Sequence, residues 1–217
     1  MVHQENKKFE KMPVSLWIAS QPIILASTSR TRHALVEAAG IVAQTRSPDV
    51  DERAIEEPFM ASGASVKDLA LLLACEKALA VSQREPGRYV LGADQTLECD
   101  GVQFHKPADT NAAKAHIAAL SGRTHHLHSA AAVACDGEVV FKAVTTASLT
   151  MRVLSDEFIA RYVAATGDAI LSSVGGYQIE GIGVQLFSRI IGDHFTILGL
   201  PLLPLITFLR ERSLLAS

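Results

Sequence analysis

Short, unbroken apolar runs alternate along the chain with longer stretches of helical periodicity. Pro22–Ala26 (PIILA) predicts a buried strand, and it leads through a Ser/Thr/Arg-rich loop into a helix ending at Gly40. Ile41–Arg46 predicts a second strand, followed by an acidic turn, Ser47–Glu52, and an irregular stretch through Pro58 and Gly63. From Ser65, capped with Asp68 three residues on, a long helix is predicted to about Gln83, its apolar stripe supplied by Leu69, Leu72, Leu73 and Ala80. Arg88–Ala93 predicts a strand with Asp94 at its carboxyl end. Asp109–Leu120 reads as an alanine-rich helix closed by Gly122. Ser129–Cys135 and Glu138–Ala143, joined by Asp136-Gly137, read as a hairpin. A strand over Ala147–Val153, a helix over Asp156–Ala165 capped by Ser155 and stopped by Gly167, and an apolar helix over Leu202–Leu214 complete the pattern. Strand–helix units followed by a hairpin define a mixed α/β class.

At 217 residues and 48% hydrophobic, the chain suits a compact domain with a real core. Residues 1–20 read as a flexible N-terminal extension and 21–217 as one domain; Met1–Lys11 is polar and lacks the apolar segment of a secretory signal. The richest apolar run, Ile197–Leu209, is broken by Gly199, Pro201 and Pro204, which argues against a membrane span. Twenty basic residues against 23 acidic ones give no global drive toward nucleic acid, so an anionic ligand must be held by a local cluster. Three separated cysteines, Cys75, Cys99 and Cys135, argue against a disulfide framework and fit a reducing, cytoplasmic setting.

Several residues carry candidate chemistry, each with a plain structural reading beside it. Ser27-Thr28-Ser29-Arg30-Thr31-Arg32 concentrates hydroxyls and guanidinium groups at a helix start, as an anion cradle or as ordinary capping. Lys77 lies on the apolar stripe at four-residue spacing after Leu69 and Leu73, where its ammonium either snorkels out or meets an anion. Asp94 follows a strand, where open α/β sheets bind ligands and where turn residues also sit. Lys106 precedes Pro107 and is thereby held extended, in a charged site or a solvated turn. Gly175-Gly176-Tyr177, with Gly181 and Gly183, marks a tight loop or a close approach to ligand. If His125, His126 and His128 lie on a strand, alternation puts His126 and His128 on one face and His125 on the other, which disfavours a three-histidine metal site. The P-loop, dinucleotide-binding, zincin and hydrolase-elbow motifs are absent.

In this order the stretches Ile24-Leu-Ala-Ser-Thr-Ser29 with Arg32, Pro48-Asp-Val-Asp-Glu52, Leu69-Ala70 with Lys77-Ala78, Gly92-Ala-Asp94, Lys106-Pro107, Leu120-Ser-Gly122 with His125, Gly175-Gly-Tyr177 and Gly199-Leu-Pro201 resemble the Maf family of nucleoside triphosphate pyrophosphatases. The resemblance implies a mixed α/β fold with an elongated central sheet and two lobes around an active-site cleft, similar to inosine triphosphatases. It further implies a homodimer and a divalent cation, Mg²⁺ or Mn²⁺. The implied reaction is hydrolysis of a nucleoside triphosphate to monophosphate and diphosphate, a substrate with about four negative charges that needs clamping cations. By the same resemblance Asp94 and Lys106 are catalytic, with Asp94 either the base for the attacking water or a metal ligand. Glu52 shares the metal, while Ser27, Arg32, Lys77, Gln95 and Glu180 bind substrate.

Three positions depart from the common family pattern. Ser29-Arg30-Thr31-Arg32 stands where many members read Ser-Pro-Arg-Arg, so Thr31 replaces one arginine. Gln95 and Glu180 stand where the dTTP/UTP-acting group has threonine and glutamine, and both look like the subgroup acting on 7-methyl-GTP. N7 methylation makes guanine cationic, so a carboxylate at Glu180 would favour it over a neutral pyrimidine; metal binding or an internal ion pair are the other uses of that carboxylate. A dTTP/UTP pyrophosphatase, or a nucleotide-binding regulator of cell division that needs no catalysis, are the alternatives that the resemblance leaves open.

Overall fold

β1 (Ile23–Ala26) is buried at all four positions because it lies between two parallel neighbours, β2 (Ala43–Arg46) and β3 (Val90–Cys99). The computed structural model describes residues 15–217, and the expected flexibility of Met1–Lys11 lies outside the described residues. After β1 come α1 (Arg30–Ala38), β2, α2 (Glu52–Ala61), α3 (Val66–Ser82), β3, β4 (Val102–Phe104), α4 (Thr110–Leu120), β5 (Thr124–Cys135) and β6 (Glu138–Met151). The chain continues through α5 (Asp156–Thr166), two 3₁₀ turns (Gly167–Ser172 and Ile182–Leu186), β7 (Phe187–Ile191), α6 (His194–Ile197) and α7 (Leu202–Glu211). The strands form one seven-stranded mixed sheet in the order β2-β1-β3-β5-β6-β7, with β4 beside β3.

β3 decides how the fold opens. β5 pairs antiparallel along Val90–Glu98 on one edge. The other edge is shared: parallel β1 covers Ile24–Ala26 against Val90–Gly92, and antiparallel β4 covers Val102–Phe104 against Leu97–Cys99. The carboxyl ends of β1 and β4 therefore approach each other and stop short, leaving Ala93–Thr96 without a strand partner on that edge.

One sheet face carries α3, which comes close because the contact is made of small residues: Ala70, Ala74 and Ala78 pack on Ala130, Ala132 and Ala134. Gly92 lets the helix touch the strand, since a Cβ there would lie 2.2 Å from the Ala74 carbonyl oxygen. The opposite face holds two separate apolar clusters. One joins Leu91, Ala93, Ala131 and Val133 to α1 and α7; the other joins Leu97, Leu127, Ala147 and Leu149 to α4 and α5. These are two lobes on one elongated sheet, as the family resemblance implies.

Several local expectations are corrected. Asp94 is not at a strand end: β3 runs on to Cys99, because Asp94, Thr96 and Glu98 alternate onto one face and find polar partners in Lys77, the Val66 carbonyl and His128. The stretch through Pro58 is helical, not irregular; Asp51 caps α2 by accepting from the Ala54 amide, and Pro58 is accommodated inside the helix. The strand predicted over Ala147–Val153 and the second hairpin arm are one strand, β6, and β7 had no sequence signal. The hairpin itself turns at Asp136-Gly137, both with positive φ (51° and 79°), as two-residue hairpin turns require. Within residues 1–20, Leu16–Ile18 are not an extension: Trp17 is buried and bridges Leu215, and the Ile18 amide donates to the Leu214 carbonyl.

Candidate active site

The gap on the β3 edge is lined from three sides. Beyond Ala26 the chain enters the Ser27–Ser29 loop, where the buried Ser27 hydroxyl accepts from the Ser29 amide at 3.2 Å and the Ser29 hydroxyl caps α1 by accepting from the Arg32 amide at 3.3 Å. Beyond Phe104 the opposite arm delivers His105 and the exposed Lys106. From the α3 face, α2 and α3 bring Glu52 and Lys77.

Lys77 does not snorkel to solvent. The four-residue row Leu69, Leu73, Lys77 lies against the sheet, and Lys77 is 5% exposed. Its ammonium donates to Asp94 Oδ1 at 2.5 Å and pairs with Glu52 Oε1 at 2.8 Å. Glu52 reaches this point because the Ser47–Asp49 turn is tied to the end of α3: Arg84 pairs with Asp49 at 3.1 Å and donates to the Ser47 carbonyl at 3.0 Å. Arg32 completes the cluster. Its Nε donates to the Gly199 carbonyl at 2.9 Å and its Nη1 to the Ala93 carbonyl at 3.0 Å.

Burial pushes the Asp94 carboxyl above the usual carboxylate range, against the pull of the Lys77 and Arg32 cations. Burial likewise draws the Arg32 guanidinium down, opposed by Asp94 and Glu52. Two anions and two cations thus stand side by side, Lys77 and Asp94 buried, Arg32 partly so and Glu52 half exposed at the rim.

The structure therefore gathers Arg32, Glu52, Lys77 and Asp94. Ser27 and Lys106 stand at the two arms of the gap, and Lys106 makes no ion pair among the described residues. Glu180 is exposed in a turn between the two 3₁₀ segments, on the loop that Tyr177 fastens to β5 through a 2.7 Å hydrogen bond with His125. Thr31 leaves Arg32 as the arginine that is held inward, while Arg30 is exposed. The Gln95 amide nitrogen lies within hydrogen-bonding distance of Ser129, Thr196 and Ile197, on the sheet face opposite Asp94.

Sequence reading missed two features. Glu56 of α2 pairs with His105 at 3.3 Å and so ties α2 to the arm carrying Lys106; the hidden helix concealed it. The partners of Gln95 come from β5 and α6, which no local motif could join. Among the histidines, His126 and His128 stack on one face with ring centroids 6.2 Å apart and His125 is on the other, as alternation requires. The cysteines are unpaired, Cys99 buried and the others half-buried.

The sequence profile described as Maf-like protein matches residues 22–212, almost the whole described chain. The chain belongs to the Maf family. Among its Maf relatives, a nucleoside triphosphate pyrophosphatase of Nitrobacter winogradskyi is 53% identical over 203 residues, 94% of this chain and 100% of the relative. A 7-methyl-GTP pyrophosphatase of Mesorhizobium japonicum is also 53% identical, over 88% of this chain and 96% of the relative. A solved HAM1 protein of Coxiella burnetii aligns at 15% identity over 60% of this chain and 72% of that one, with a TM-score of 0.41, too distant to bear on function. No helix among the described residues is long and apolar enough to cross a membrane.

Two of the matching stretches of this Maf chain gain a physical reason from the fold. Gly92-Ala-Asp94 combines the close approach of α3 with the buried carboxylate, and Gly199-Leu-Pro201 supplies the carbonyl that holds Arg32.

Proposed function

We propose that this chain is a nucleoside triphosphate pyrophosphatase, hydrolysing the bond between the α and β phosphates to give a nucleoside monophosphate and diphosphate. The observation that carries the reading is Lys77, a buried ammonium shared by Asp94 and Glu52 beside the partly buried Arg32 guanidinium. Names carried by the 53% identical relatives support the same reaction.

In this reading the triphosphate enters the gap on the β3 edge. Arg32 and Lys77 from inside, and Lys106 from the β4 arm, take up its charge, with the Ser27 hydroxyl and the loop amides beside phosphate oxygens. Water attacks the α phosphorus, the bond to the bridging oxygen breaks, and diphosphate leaves with the electron pair. Asp94 accepts the proton of the attacking water, and a carboxyl raised by burial is the better base for it.

The donor set fits a Mg²⁺ or Mn²⁺ ion. Asp94 and Glu52 are the carboxylates that would hold it beside the Lys77 ammonium that both now contact, and no group of three or more metal-ligating side chains is present among the described residues. Magnesium-type ions bind in this way, through one or two carboxylates plus waters and substrate phosphates. Such an ion, when bound, supplies charge neutralisation of the phosphates and a more acidic water. A homodimer in the cytoplasm goes with the reading.

The Glu180 carboxylate favours a cationic base and so 7-methyl-GTP. Chromatography of products from dTTP, UTP, GTP and 7-methyl-GTP, with Mg²⁺ or Mn²⁺ and with the ion chelated, tests both levels. Monophosphate and diphosphate in a one-to-one ratio are expected, lost on chelation and in Asp94→Asn, with 7-methyl-GTP turned over fastest. Release of orthophosphate, or turnover that survives Asp94→Asn, would refute the proposal.

A further inference from the structure

We propose that Glu56 is a positioning residue: by holding His105 it latches α2 to the far arm of the gap and fixes the direction in which the neighbouring Lys106 meets the phosphates. The inference rests on the pyrophosphatase reading of the site.

α2 walls one side of the gap, yet none of its residues is buried. Ile55, Phe59 and Met60 give it only half-buried apolar contact, so polar tethers have a large share in fixing where it sits. The turn before the helix is tied to the end of α3 by Arg84, which pairs with Asp49 at 3.1 Å. Glu52, in the first helical turn, pairs with Lys77 Nζ at 2.8 Å. Glu56 follows four residues later, on the same helix face, and its Oε1 lies 3.3 Å from His105 Nε2. The first two contacts stay with α3, and the third reaches the arm beyond β4, across the gap from β1.

Glu56 is the acid of α2 that is drawn inward. Its side chain is 18% exposed, against 50% for Glu52. A carboxylate covered to that degree loses hydration and needs a partner in return, whereas His105, 62% exposed, is well solvated where it stands. The covered member of the pair therefore dictates its geometry.

The arm has its other holds in the second lobe. β4 has three residues, paired with Leu97–Cys99 of β3. Phe104 meets His116 of α4 edge-on with ring centroids 5.2 Å apart, and Pro107 is buried. Between these anchors stand His105 and Lys106. Pro107 holds Lys106 extended, and in extended chain consecutive side chains point to opposite sides. Clamping the imidazole to α2 thus sets the roll of the arm, and with it the line along which Lys106 leaves the backbone. Its ammonium, which makes no ion pair among the described residues, is the group so aimed.

The sign of the effect separates positioning from plain electrostatics. Removing a carboxylate beside an anion site strengthens polyanion binding by charge alone, whereas removing a latch weakens it. Binding of inorganic triphosphate with Mg²⁺ is measured by calorimetry on the full chain for wild type, Glu56→Ala, His105→Ala, His105→Gln, Lys106→Ala and the double variant Glu56→Ala/Lys106→Ala, together with KM and kcat on the four nucleotides. Glu56→Ala and His105→Ala are each expected to lower triphosphate affinity by about fivefold, the upper range for an ion pair near the surface, and to raise KM for all four nucleotides. His105→Gln keeps a donor of similar reach without a charge and should recover most of that loss. Once Lys106 is alanine, Glu56→Ala should cost nothing further. Unchanged or stronger triphosphate binding in Glu56→Ala would overturn the proposal, as would additive losses in the double variant, which would mean that Glu56 acts through Glu52 or through folding and not through Lys106. Should Glu56→Ala fold poorly, the exposed His105→Ala decides the point, and an unchanged affinity there would overturn it too. If wild type hydrolyses no nucleotide, the pyrophosphatase reading fails, while the triphosphate measurements still decide whether Glu56 acts through Lys106.

Discussion

Gly92→Ala is expected to damage activity and stability together, although it adds one methyl group and touches no candidate catalytic side chain. The added Cβ would lie 2.2 Å from the Ala74 carbonyl oxygen and 2.6 Å from the Ala78 amide nitrogen, where ordinary contact begins at 3.4 Å. Both obstacles are helix backbone, so no side-chain rotation relieves them, and α3 must retreat by about 1 Å. Such overpacking costs roughly 1–3 kcal/mol. For a chain of this size each kcal/mol lowers Tm by about 2–4 °C. The retreat also draws Lys77, between Ala74 and Ala78 and the next turn, away from the 2.5 Å contact with Asp94. A misplacement of that size can cost on the order of 10²-fold in rate. Calorimetric unfolding and single-turnover hydrolysis of the preferred nucleotide measure both effects. Wild-type Tm with wild-type turnover would refute the close helix–strand contact as the reason for glycine at this position.

Asp94→Asn should abolish turnover yet leave Tm at pH 7 equal to or above wild type. Burial raises the Asp94 carboxyl, so its contribution to stability is present at acid pH and lost as pH rises through the folded-state value; the advantage of the variant should therefore vanish toward acid pH. A lower Tm for Asp94→Asn at neutral pH would contradict this. His125 behaves in the opposite sense, its imidazole lowered from 6.5 to about 4 by burial. Its contribution is full above pH 6.5 and disappears as pH falls through about 4, a loss of about 3 kcal/mol. Urea titrations between pH 7 and 4 should show a slope that flattens in His125→Gln, and parallel slopes would dismiss His125 as the source. Arg84→Ala should change unfolding free energy by less than about 1 kcal/mol, since its ion pair with Asp49 is exposed, while raising KM through a looser Glu52. An unchanged KM would separate the turn from the site.

Much of this molecule is decided locally. An unbroken apolar run buries itself, so β1 was readable; a serine before a helical stripe caps it, so α3 and α5 began where expected. Asp136-Gly137 can hardly do anything but turn a hairpin. Residue order also pointed to Arg32, Glu52, Lys77 and Asp94, because charged residues at these places carry a recognisable family pattern. Other features depended on partners distant in sequence. α2 contains a proline and forms because its cap, its ends and Glu56 find contacts with α3 and the β4 arm. β7 is mostly exposed and exists through pairing with β6. Whether Lys77 would reach water or an anion could not be settled from its helical spacing, since that depends on which side chain the neighbouring strand presents. Asp94 and Gln95 are adjacent in sequence, and strand alternation alone sends them to opposite faces; what each then meets was set by packing. α3 and α2 give Asp94 its cations and its companion carboxylate, while α6 takes the donors of Gln95 and hands Arg32 a carbonyl. Hydrogen bonds and ion pairs reach about 3 Å, and only the folded chain brings Arg32 to the Gly199 carbonyl and Gln95 to the Thr196 carbonyl.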